Sequence, residues 1–212
     1  LNIVWFFGGF VIQASAVIYY FTYVVQNTTL VQIVATITTL VPIVTNLCAP
    51  FLVKMTSKRN LMVGGSFVHM GGLLIIFFGG TNVPVLLAGA VIAAAGYGLK
   101  GSMHFAMQPD PVDYGEWKSG VNTAGTLSAV NGFIGKVGMA VASSIGAALL
   151  QFGGFDANLA VQTTTAQHYI TAMYIWVPIF TNIATIITMM FYDLDKIYPQ
   201  IIKELDERRA NA

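Results

Sequence analysis

Six stretches of this chain carry no Asp or Glu and stay largely apolar for about 20 residues or more, the length a helix needs to cross a bilayer's hydrocarbon core. They run over 3–25, 30–53, 61–80, 83–107, 121–150 and 168–192. Lipid offers no partner to backbone polar groups, so a segment of this kind must satisfy them internally, as a helix does. The expected architecture is therefore an all-α membrane protein. A six-helix transmembrane bundle occupies 1–192 and a charged tail occupies 193–212. Only 9% of the residues are charged, against about 25% in soluble domains, which fits the same class.

The breaks between spans carry turn residues: Gln26-Asn27, Ser57 to Asn60, Gly79 to Asn82, Pro109 to Gly120, and Gly153 to Gln167. Basic residues fall on alternate breaks only. Lys54, Lys58 and Arg59 follow the second span, Lys118 follows the fourth, and Lys196, Lys203, Arg208 and Arg209 follow the sixth. The positive-inside rule makes that face cytoplasmic, with the chain a multi-pass protein of the inner (plasma) membrane. Leu1 enters an apolar stretch at once, so the expectation is a piece of a longer protein whose preceding half arrives through a cytoplasmic loop. In the tail, Ile197, Ile201 and Leu205 recur every four residues and predict a helix docked on the cytoplasmic loops.

Two cations lie inside spans, Lys100 and Lys136. A charge at the bilayer centre costs about 2.5–3.5 kcal/mol on insertion scales, so such residues mark functional positions. No span supplies a carboxylate for them, which places their partners on a ligand or on polypeptide outside this sequence. Ala124, Ser128, Gly132 and Lys136 share one face of the fifth span, with Asn131 nearby, and Gly138, Ala142 and Gly146 continue a pattern of small residues suited to close helix contact. Gly96, Lys100 and His104 share a face of the fourth span. Gln13 and Tyr20 share a face of the first, where a tyrosine ring can either stack on a sugar or anchor at the interface. Thr171, Tyr174, Pro178, Thr181, Thr185 and Thr188 form a polar stripe on the sixth, with Pro178 expected to kink it. His69 reads as an interhelical hydrogen bonder. Cys48 is read as a small packing residue.

The break from 108 to 120 holds Asp110, Asp113 and Glu116, three of the nine acids. Opposite the basic Lys54, Lys58 and Arg59, these acids suit a cross-loop ion network that closes a cytoplasmic gate. Exposed pairs are each worth only about 0–1 kcal/mol, weak enough for a gate that opens. No His-Glu-x-x-His, no pair of membrane aspartates and no Gly-x-Ser-x-Gly is present to support an intramembrane enzyme. No ring of charge points to a cation pore, and no basic, aromatic-interleaved patch points to nucleic acid.

The run Asp113-Tyr114-Gly115-Glu116-Trp117-Lys118, followed by a glycine-rich helix holding Gly135-Lys136-Val137-Gly138, resembles the glycoside–pentoside–hexuronide:cation symporters of the major facilitator superfamily, the melibiose permease-like family. The resemblance covers the whole chain as family helices seven to twelve. It implies a twelve-helix transporter of two six-helix halves that take up a sugar with Na+ or H+ by alternating access. The coupling cation would be bound mainly by the amino-terminal half, with no cofactor and no metal site in this half. Implied partners are a sugar, the bilayer and that amino-terminal half. Lys136 matches the family lysine linking the sugar and cation sites, and Asn131 falls where relatives carry a glutamine near the sugar. On this reading Lys136, Asn131, Lys100, His104, Tyr20 and Gln13 contact substrate, while Asp110, Asp113, Glu116, Lys58 and Arg59 form the gate. Lys100 and His104 would line the inward half of the cavity and favour an anionic substrate. Two positions depart from the family: Gly101 stands where a sugar-stacking tryptophan is known, and Val121-Asn122 stands where Val-Arg is frequent. A transporter of the same fold carrying a lipid or another small solute is the alternative.

Overall fold

A computed structural model describes residues 11–210, and every regular element among them is helical. Helix α1 covers Val11–Val24, ending in π-helical turns from Tyr20; residues 3–10 of the predicted first span lie outside the described residues. Helices α2 (Thr28–Met55), α3 (Lys58–Gly79), α4 (Val83–Ala106), α5 (Asp110–Ser119) and α6 (Ala124–Phe152) follow. Helix α7 runs over Thr164–Met190 and α8 over Leu194–Ala210. Among the described residues, five helices are long and apolar enough to cross a membrane.

The predicted breaks act as caps. The side chains of Asn27, Ser57 and Asn82 each accept a hydrogen bond from a backbone amide in the first turn of the helix that follows. One prediction fails: the acidic stretch from 108 to 120 is not a loop. It folds as α5, with Pro111 in the first turn, Asp110 and Asp113 at the helix's positive end, Lys118 in the last turn, and Gly120 closing it at φ +73°. Pro, Asp and Gly form turns as readily as helix ends, so the sequence pattern alone suits a loop equally well. The predicted tail helix is α8; Ile201 and Leu205 are buried on it and Ile197 is exposed. Pro178 leaves the fourth residue before it without a helical partner. The chain accommodates this with π-helical turns over Ala172–Trp176.

Helices α3 and α4 form the most extensive contact in the bundle; α2 covers α4, α7 covers α3, and α1 packs on α6 and α7. Glycines let the α3 and α4 backbones touch. A methyl group built on Gly96 would lie 2.6 Å from the carbonyl oxygen of Gly65 and against the backbone of His69, and one built on Gly65 would lie 2.9 Å from the amide nitrogen of Lys100. This approach brings the Cα positions of His69 and Lys100 onto facing backbones. Helix α6 is different: only its Gly135, Gly138, Ala142 and Gly146 stripe is buried.

The obstruction at Gly96 is backbone, which cannot turn aside. Gly96→Ala should therefore destabilise the bundle by about 1–3 kcal/mol, the usual cost of overpacking. The detergent-solubilised protein should melt at a lower temperature, whereas Gly132→Ala, with nothing within 4 Å of the added carbon, should not shift the melt.

Candidate functional site

A polar chain crosses the interior of the bundle. Lys100, 2% exposed, donates from Nζ to Asn182 Oδ1 at 2.8 Å. Asn182, fully buried on α7, donates from Nδ2 to the Pro178 carbonyl at 2.7 Å and faces His69 Nδ1 at 3.0 Å. The other ring nitrogen of His69 lies 3.2 Å from the amide end of Gln13 on α1. Four helices thus contribute to one continuous line of polar groups. In the low-dielectric interior such groups are tolerated only when their hydrogen bonds are made.

The Gln13 end of this line opens into a cavity of about 230 Å³ between α1, α2 and α4. Gln13, His69, Thr38, Thr39, Tyr97 and Tyr174 provide its polar and aromatic lining, and Ala90, Ala93 and Ala94 leave it room. Lys100 is not part of the wall. Its ammonium sits 5.5 Å from the centre of the ring of Tyr97, which together with His69 does line the cavity. The predicted contact between Lys100 and substrate is thereby corrected: a helix-face pattern identifies neighbours on α4 but not which helix that face meets. Tyr20 is corrected too. It is 3% exposed and stacks on Tyr174 at 4.7 Å, so it belongs to the core and offers no free ring face. His69, read as a hydrogen bonder, both bonds and lines the cavity. Asn182 was missed; an amide four residues after Pro178 in an apolar span was its only signal.

His104 is buried below a second groove, lined also by Gln108, Asn131, Thr188 and Tyr192. Asn131 additionally lines an adjoining groove with Ser128 and Gly132. Lys136 is exposed on α6, as are Ala124, Ser128 and Gly132 of the same stripe. The small residues of α6 thus split in function: Gly135, Gly138, Ala142 and Gly146 pack inside, and the Lys136 stripe faces outward.

At the basic face the residues predicted to form a gate meet α8 as much as one another. Lys58 Nζ pairs with the fully buried Asp110 at 2.6 Å, and Tyr192 donates its hydroxyl to the other Asp110 oxygen at 2.6 Å. Burial, with that hydrogen bond to Asp110, holds the Tyr192 phenol well above its ordinary range. Asp113 accepts the Tyr198 hydroxyl at 2.6 Å, and Glu116 accepts the Asn122 amide at 2.6 Å. Arg59 binds Asp193 at 3.7 Å through its side chain and Asp195 at 2.8 Å through its backbone amide. So of the predicted loop-to-loop pairs, Lys58–Asp110 forms, and Arg59 turns to the start of the tail. The Trp117 indole donates to Glu204 at 2.6 Å, and Arg208 donates to the Trp117 carbonyl at 2.9 Å. Among the described residues no group of three or more His, Cys, Asp or Glu side chains is placed to hold a metal ion.

Comparison with known proteins puts these features in context. A family model described as MFS/sugar transport protein matches residues 2–196. The isoprimeverose transporter of Lactiplantibacillus pentosus is 31% identical over 204 residues, 95% of this chain and 42% of the relative. The glucuronide carrier protein homolog of Escherichia coli strain K12 is 30% identical over 203 residues, 94% of this chain and 44% of the relative. A putative 2,3-dihydroxypropane-1-sulfonate exporter of the same strain is 28% identical over 208 residues, 97% of this chain and 45% of the relative. The chain spans less than half the length of each.

The hydrogen bond from the Trp117 indole, and then that from Gln200, hold the Glu204 carboxyl below its ordinary value. A depressed carboxyl stabilises the folded contact above its unfolded value, and this contribution is lost as pH falls through the lower, folded one. Trp117 emission should therefore step in acid titration at a midpoint below that of an ordinary glutamate. The step should vanish in Glu204→Gln and in Trp117→Phe.

Proposed function

The chain belongs to the MFS/sugar transport protein family as a glycoside–pentoside–hexuronide symporter-like member, and we propose that it forms the carboxy-terminal six-helix half of a secondary sugar transporter. The whole protein would carry a glycoside, pentoside or hexuronide with Na+ or H+, the two halves rocking about a site near the membrane midplane. The basic face, with α5 and α8, would lie in the cytoplasm.

The carrying observation is the outward stripe of α6. A membrane-spanning helix that exposes Ala124, Ser128, Gly132 and a lysine cannot present that face to lipid without the cost of a bare ammonium. Small residues leave room for a substrate path beside the second half, and the cation calls for an anionic partner. A second half carrying the carboxylates for the coupling ion meets both demands. Lys136 would then connect ion and sugar, and Asn131, in the groove beside it, would bond to the sugar.

At the cytoplasmic end, the Lys58–Asp110 pair and the bonds from α8 would hold α5 in place as part of the gate. The reading is of a transporter rather than an enzyme, in line with the names of the relatives. One observation favours a second cargo class: a relative similar over 97% of this chain is named as a putative exporter of a small sulfonate. The fold alone does not separate the two.

Uptake of labelled isoprimeverose and methyl glucuronide by the full-length protein in membrane vesicles tests the proposal. Uptake of at least one sugar should rise when a Na+ or H+ gradient is imposed. Lys136→Cys should abolish gradient-driven uptake while leaving protein insertion unchanged. No uptake of any sugar under either gradient, by protein shown to be inserted, would transfer the reading to the small-solute alternative.

A further inference from the structure

The interior polar chain has a direction that can be read from hydrogen-bond chemistry alone. A backbone carbonyl only accepts, so the Asn182 atom 2.7 Å from the Pro178 oxygen is the amide nitrogen. A protonated lysine only donates, so the Asn182 atom 2.8 Å from Lys100 Nζ is the amide oxygen. Two independent partners thus set the same orientation of this side chain. The second N–H of Asn182 then points at His69 Nδ1, 3.0 Å away, which must accept it. A neutral imidazole that accepts at Nδ1 carries its proton at Nε2. The Gln13 atom placed 3.2 Å from that N–H is its amide nitrogen; two donors cannot face each other, so the amide is assigned turned about, with its oxygen toward the ring. The two ends of an amide are alike in shape and are told apart by their partners. The NH2 group of Gln13 is therefore left to face the cavity.

The α2 part of the lining has the complementary character. The hydroxyls of Thr38 and Thr39 spend their protons on the carbonyls of Val34 and Ala35, both at 2.9 Å. Their lone pairs remain for a ligand. A cavity lined by a donor from α1 and acceptors from α2 matches a hydroxyl, which gives one proton and accepts another. It suits a carboxylate or sulfonate less, since these only accept.

We propose that the cavity between α1, α2 and α4 is a binding subsite for the neutral, hydroxylated edge of a sugar, and that buried Asn182, pinned by Lys100 and Pro178, is a positioning residue that sets this polarity through His69 and Gln13. The sugar as occupant rests on the transport reading above; the direction of the hydrogen-bond chain does not.

Nitrogen NMR of the full-length protein in nanodiscs, with 15N-labelled histidine, reads the ring directly. The His69 signals, assigned by their loss in His69→Gln, should show a neutral ring protonated at Nε2. In Asn182→Asp, which offers only acceptors, the Nδ1 of His69 should become protonated. A native ring protonated at Nδ1, or a ring state unchanged in Asn182→Asp, would overturn the chain. The native spectrum needs no variant, so a misfolded Asn182→Asp leaves the test standing. Binding judges the ligand separately. Gln13→Glu replaces the cavity-facing donor with an acceptor and should weaken calorimetric binding of isoprimeverose at least tenfold. Unchanged affinity in Gln13→Glu overturns the subsite. Failure of the native protein to bind isoprimeverose or methyl glucuronide overturns the sugar as occupant, while the ring states decide the chain independently.

Discussion

Gly65 and Gly96 allow the backbones of α3 and α4 to touch, and much of the interior follows from that contact. With side chains of ordinary size the two helices would stand further apart, and the polar groups of His69 and Lys100 could not be spanned by one amide. With the contact made, Asn182 from α7 bridges them at 3.0 and 2.8 Å. Three helices are then held in register by directional bonds inside an apolar bundle, and α1 joins through Gln13. A bilayer supplies little hydrophobic drive between helices, so close packing and interhelical hydrogen bonds carry the association.

The two intramembrane lysines solve the problem of a buried charge in different ways. Lys100 meets the oxygen of a neutral amide and sits 5.5 Å from the centre of a tyrosine ring, so its charge is accommodated within this half. Lys136 lies exposed beside small residues on α6. The first is part of the scaffold behind a cavity; the second is exposed on α6, where the proposal above would place the companion half. Burial, rather than residue type, separates the roles.

The spans were legible because the bilayer allows few alternatives: length and apolarity suffice, and Asn27, Ser57 and Asn82 mark the helix starts. Helix α5 was hidden because Pro, Asp and Gly serve helix ends and turns equally well. The site was legible in part. Helical spacing correctly grouped Lys100 with His104 and Lys136 with Ser128, yet spacing on one helix carries no information about the neighbour across the interface. Tyr20 therefore passed for a sugar platform although Tyr174 covers it, and Asn182, one amide in an apolar span, raised no signal until His69 and Lys100 were seen on either side of it.

The central claim is that the outward stripe of α6 lines the substrate path between this half and its companion. Single cysteines at Ser128, Gly132 and Lys136, and at Phe133 and Val137 for comparison, test it in the full-length transporter after replacement of the exposed Cys48. Water-soluble thiol reagents should label the first three, and added sugar should protect them, while the other two stay insensitive to sugar. Labelling of all five that is indifferent to sugar, or no labelling along the Lys136 stripe, would contradict the account.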